Sequence, residues 1–204
     1  MNDVVTWAVD IGSVKRNRFG WCRKDRNSLR SGESIVDLVE GVSQDLNERR
    51  QVALGFECPL FVPVTADPQN LTSARIGEGS RSWSAGAGCG ALATGLPETV
   101  WILERVRHTV AVPVAATLNW EAFHERQANL FLWEAFVTGA AKGEAHTHDA
   151  EIAALKFWES LDDIVGANAV VAEAPFSLIG AALLRSGLSA DLRLLFEPCI
   201  VIRA

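Results

Sequence analysis

Val4, Thr6, Ala8 and Asp10 share one side of an alternating segment, and Val5, Trp7, Val9 and Ile11 share the other; this is the period of a β-strand. Both sides are largely apolar, so the strand is expected near the middle of a sheet covered on both faces. Gly12 supplies a turn, and Phe19-Gly20-Trp21-Cys22 reads as a strand folding back on the first. A third strand is expected near Glu33 to Val36. Ile35, Leu38, Val39, Val42 and Leu46 recur at helical spacing, and that helix should end around Arg49-Arg50, where cations complement its dipole. Gln51 to Phe56 is the next strand, stopped by Cys58-Pro59.

Residues 58 to 95 are the least regular part, with a glycine-rich run from Gly77 to Gly90, and are expected to form a long loop insertion. Pro97 at an early helical position, followed by Val100, Leu103 and Val106, predicts a second helix. A short helix around Asn119 to Arg126 and a strand from Leu130 to Val137 come next, then a loop from Thr138 to Glu144. A helix over Asp149 to Leu161 should bury Ile152, Leu155 and Trp158. Leu178 to Arg185 reads as helix and Leu195 to Ile202 as a closing strand. Strands alternating with helices over 204 residues predict one α/β domain.

Composition narrows the function classes. Hydrophobic residues make up 49% of the chain and charged residues 22%, ordinary for a globular protein with a substantial core. No uncharged apolar run reaches the roughly eighteen residues of a membrane span, and Met1-Asn2-Asp3 leads straight into a strand rather than a basic start and apolar signal segment. A soluble, cytoplasmic protein without a membrane partner is expected. Cys22, Cys58, Cys89 and Cys199 are widely spaced and read as reduced thiols. The net charge of -6 disfavours non-specific wrapping of nucleic acid, yet Lys15, Arg16, Arg18, Arg23, Lys24, Arg26 and Arg30 face Asp25 alone between Ser13 and Arg30. Such a ridge suits phosphates as well as it suits a solvated hairpin.

The informative feature is acidic. Asp10 closes an apolar strand, Glu57 follows Gly55-Phe56, Glu134 interrupts Leu130-Phe131-Leu132-Trp133, and Asp149 opens an alanine-rich helix. A buried carboxylate needs a cation, donors or a proton to compensate it. Converging, the four would make an oxygen-rich site suited to Mg2+ or Mn2+, and two such ions about 3.5–4 Å apart promote phosphodiester hydrolysis. Taken singly, Asp10 has the alternative of accepting turn amides, Glu57 of pairing with an arginine and Asp149 of capping its helix. Lys142 is placed to meet a phosphate or developing charge, or to be an exposed loop lysine. His146-Thr147-His148 lacks the second ligand set of a zinc shell, and His148 is expected to orient a carboxylate by hydrogen bonding.

In order and spacing the chain resembles the predicted nucleases of ribonuclease H-like fold, related in shape to RuvC resolvases. Ala8-Val9-Asp10-Ile11-Gly12 with Gly20-Trp21 is similar to their opening hairpin. Gly55-Phe56-Glu57-Cys58-Pro59-Leu60 is similar to their acidic strand end, with glutamate where aspartate is commoner. Leu132-Trp133-Glu134-Ala135-Phe136, then Lys142, resembles a further strand and its loop, and His148-Asp149-Ala150 a His-Asp-Ala helix. The resemblance implies a mixed central sheet flanked by helices and a metal-dependent nuclease acting on DNA or RNA. Its site would comprise Asp10, Glu57, Glu134 and Asp149, with Lys142 and His148 beside them and Lys15, Arg16 and Arg18 on the nucleic acid. It leaves open whether Asp149 or Glu151 is the helix-borne ligand, and a homodimer remains a candidate assembly. Two further readings stand beside it. Asp10-Ile11-Gly12-Ser13 also resembles the first phosphate loop of actin-like nucleotide-binding proteins, and a catalytically inactive interaction protein would use its tryptophans for binding.

Overall fold

The computed structural model describes residues 4–204; Met1-Asn2-Asp3, read above as lacking a signal segment, lie outside the described residues. Strand β1 (Val4–Asp10) runs through the middle of a mixed sheet. On one side it pairs antiparallel with β2 (Gly20–Lys24), which pairs antiparallel with β3 (Leu29–Gly32). On the other it pairs parallel with β4 (Gln51–Phe56). The short strand β5 (Phe61–Pro63) leaves this sheet. Strands β6 (Ala116–Thr117) and β7 (Leu130–Phe136) return to it, with β7 parallel to β4. Strand β8 (Pro175–Ser177) pairs with β5 in a separate ribbon. Strand β9 (Val201–Arg203) closes the main sheet beside the far end of β7.

Period-two alternation sorts the core into two layers. Val5, Trp7, Val9, Leu54, Phe56, Leu130 and Leu132 face one layer, built with α1 (Ile35–Asn47), α2 (Gly86–Thr109) and α5 (Leu178–Ser186). Ala8, Ala53, Phe131, Trp133 and Ala135 face the other, beneath α3 (Trp120–His124) and α4 (His146–Glu159). The expected α/β class, a mixed central sheet flanked by helices, is the one observed. Among the described residues no helix is long and apolar enough to cross a membrane, and all four cysteines are free thiols.

Several boundaries differ from expectation for physical reasons. The third strand is Leu29–Gly32 rather than Glu33 to Val36, because Ser34 caps α1 by accepting the Asp37 N–H at 3.2 Å. The irregular stretch ends early, since the glycine-rich run enters α2 at Gly86 and Pro97 lies inside that helix. Leu195 to Ile202 is mostly not strand: a 3-10 turn covers Leu192–Phe196 and β9 begins at Val201. In α4 the buried side is Asp149, Ala150, Ala153, Ala154 and Phe157, while Leu155 is exposed. The alanines let α4 approach the sheet closely, and Phe157 stacks on Trp133 with ring centroids 4.4 Å apart. That packing outweighs the larger aliphatic stripe expected there.

A buried polar knot ties the β1–β2 hairpin to α1. Asp45 accepts the Trp7 indole N–H at 2.9 Å and two Arg23 N–H groups at 2.9 Å each. Arg23 also pairs with Asp25 at 2.6 Å, so Asp45→Ala leaves its charge only partly compensated and is expected to lower the unfolding free energy by about 3 kcal/mol, the low end for a broken buried pair, read from chemical denaturation.

Candidate metal centre

Parallel pairing of β1 and β4 fixes the first two carboxylates. The Glu57 N–H donates to the Val9 carbonyl at 2.8 Å, so Asp10 and Glu57 leave neighbouring strands at the same level. Both have the parity of Ala8 and Ala53 and turn toward α4. The start of α4 crosses β2 at Gly20, where a Cβ would collide with the backbone of His146 and Thr147. Glycine is required for that approach. It brings Asp149, in the first turn of α4, over the ends of β1 and β4.

Asp10, Glu57 and Asp149 each offer an oxygen, and these atoms lie within 4.8 Å of one another. Asp10 and Asp149 are buried, at 4% exposure each. Lys142 reaches Asp149 Oδ2 at 3.4 Å and Glu57 Oε1 at 3.7 Å, and the Gly143 N–H donates to Asp149 Oδ1. His146 Nδ1 pairs with Asp10 Oδ2. Glu57 Oε2 is buried without a hydrogen-bond partner. An orphaned carboxylate oxygen beside two further carboxylates fits a divalent cation: the group can hold a metal ion, with oxygen donors only.

The electrostatics match. Burial pushes the Glu57 carboxyl up to about 9, reinforced by the Asp10 carboxylate and opposed by Lys142. Asp10 is raised as well, chiefly by burial, with His146 and Lys142 pulling the other way. Burial works against the Lys142 cation, but Glu57, Asp10 and Asp149 outweigh it and hold its proton more firmly.

Glu134 does not join this group. It has the parity of Leu130 and Leu132, the opposite face of the sheet from Asp10, and lies beside Phe56 in register. Arg75 binds both of its oxygens, at 2.6 and 2.8 Å, and Oε2 also accepts the Leu60 N–H at 2.9 Å. Arg75 further pairs with Glu78 at 2.8 Å. The expectation of Glu134 as a metal ligand therefore gives way to a buried ion pair. His148 is also displaced from its expected role: it is exposed and lies against Gly143, while His146 holds the Asp10 carboxylate. Glu151 is tied to Ser31 on β3 at 2.6 Å, which leaves Asp149 as the helix-borne carboxylate.

A cleft of about 420 Å³ runs across the carboxyl ends of β1, β4 and β7. Asp10, Glu57, Lys142 and His146 line one part, and Arg18, Arg81 and Trp83 another. Lys15 and Arg16 sit on an exposed 3-10 turn (Val14–Arg16) and do not line it. Beside the site, burial pushes the Glu98 carboxyl on α2 up to about 7, with the Gly12 backbone pulling the other way. Sequence reasoning missed Glu98, Arg75 and the role of His146. Only the last had a signal, its three-residue offset from Asp149 on one helical face.

Comparison of the chain with family models, curated proteins and solved structures found no match. Mn2+ is expected to raise the melting temperature of the unaltered chain, and Asp10→Asn to remove that rise. Glu134→Gln should lower the melting temperature yet keep the rise, a contrast that scanning fluorimetry resolves.

Proposed function

We propose that the chain is a metal-dependent nuclease of ribonuclease H-like fold, with Mg2+ or Mn2+ held by Asp10, Glu57 and Asp149. The observation that carries this reading is the approach of three carboxylates, one with an orphaned oxygen, at the carboxyl ends of adjacent parallel strands. Ligand sites collect at such strand ends in α/β sheets. The mixed central sheet flanked by helices is the architecture that the resemblance implies.

A bound divalent ion would supply Lewis-acid polarisation of the phosphodiester and activation of water. The chain's own groups do the rest. His146 fixes the orientation of Asp10 through Oδ2. Lys142 moderates the repulsion among the carboxylates and offers a cation to charge developing on the phosphate. Glu57 carries a proton at neutral pH that must leave before its carboxylate can act as a ligand.

Incubation of the protein with DNA and RNA of varied structure is expected to give cleavage that requires Mg2+ or Mn2+ and disappears in Asp10→Asn with the fold retained by circular dichroism. Failure to cleave any nucleic acid with either ion would count against the reading. The pH dependence follows from Glu57. Its folded value of about 9 lies above the ordinary 4.5, so the stability it contributes to the metal-free chain is present below 4.5 and lost as pH rises through 9. Metal affinity should run the opposite way, strengthening from pH 6 toward 9 as that proton is released. Calorimetric titration at several pH values checks this; a flat profile would remove Glu57 from the ligand set.

A further inference from the structure

The lining of the cleft also includes Trp83, Arg18 and Arg81. Trp83 borders it, its indole N–H donated to the Ser73 carbonyl at 2.9 Å, which steadies the ring. The chain has seven tryptophans. Trp7 packs on Trp21, Trp120 on Phe123 and Trp133 on Phe157, while Trp101 and Trp158 lie under Arg105 and Lys24. Among the described residues Trp83 has neither a ring nor a cation against it. Arg18, just before β2, and Arg81, in the loop leading to α2, line the same cavity, are exposed, and form no ion pair among the described residues. The buried pairing of Arg75 with Glu78 and Glu134 pins the loop that carries Arg81 and Trp83.

An aromatic ring with no other ring or cation against it, sharing a cavity with two guanidinium groups outside any ion pair, offers stacking for a base and charge-assisted hydrogen bonds for phosphates. The volume of about 420 Å³ is that of a site for one small unit rather than a groove. Inside a duplex both faces of each base are already stacked on neighbours, so only an unpaired base can present a face to Trp83. We propose that the cleft receives one unpaired nucleotide, its base on Trp83 and its flanking phosphates on Arg18 and Arg81, and that the substrate class is single-stranded nucleic acid. What happens to the strand after binding rests on the nuclease reading; strand selection does not.

The test is fluorescence anisotropy with Asp10→Asn protein and a labelled oligonucleotide, free or annealed to its complement. The single strand should bind more tightly than the duplex. Trp83→Ala should weaken single-strand binding by about five- to 150-fold, and Trp83→Phe should restore most of it. Arg81→Ala, at an exposed position that tolerates truncation, should weaken binding and reduce its salt dependence, which keeps the test decisive if Trp83→Ala fails to fold. Equal or tighter binding of the duplex, or folded variants that bind as the parent does, overturns the proposal. Cleavage by the unaltered chain is scored separately. Metal-dependent cleavage with no preference for unpaired strands overturns this inference and leaves the nuclease reading. Strand-selective binding lost in Trp83→Ala without cleavage supports this inference and overturns the nuclease reading.

Discussion

Mutual repulsion of three carboxylates in a partly buried corner is the constraint around which this structure is arranged. Asp10, Glu57 and Asp149 are drawn together by strand pairing and helix docking whose stability comes from apolar burial elsewhere, and the corner is made tolerable locally. Lys142 spans two of the three, His146 takes an oxygen of the third, and Glu57 keeps a proton through neutrality. One divalent cation could stand in for these compensations, since all three residues offer an oxygen to a common point.

The contrast with Glu134 shows what a permanent solution looks like. Arg75 binds both of its oxygens inside the protein, with Glu78 completing the set. No oxygen of Glu134 is without a donor, whereas Glu57 Oε2 is. Two glutamates, Glu57 just past the end of β4 and Glu134 within the adjacent parallel β7, thus have opposite characters, one left incomplete and one neutralised by the chain itself.

Most of the fold was legible in the sequence because the strands are short apolar runs bounded by turn residues, and α1 has a clean stripe. The first carboxylate pair was legible too, since Asp10 and Glu57 each end an apolar strand. Even the separation of Glu134 was implicit: its face neighbours are Leu130 and Leu132, while Asp10 shares its face with Ala8, and the two faces are built against different helices. What the sequence concealed were contacts made across long separations by groups with no local pattern. Arg75 is a lone loop cation until it meets a residue 59 positions away. Glu98 follows a proline that suggested a helix start rather than a helix interior. The buried side of α4 was concealed for a different reason, because alanines close to a sheet outweighed larger residues whose spacing was equally helical.

The bond between Arg75 and Glu134 joins a surface loop to the interior of a central strand. Losing Arg75 would strand both Glu134 and Glu78, while losing Glu134 would leave the arginine to Glu78 alone. A chain of this architecture with apolar residues in place of both Glu134 and Glu78 would be released from keeping the arginine. Its loop would then be free to change length and contents, and with it whatever the cleft selects.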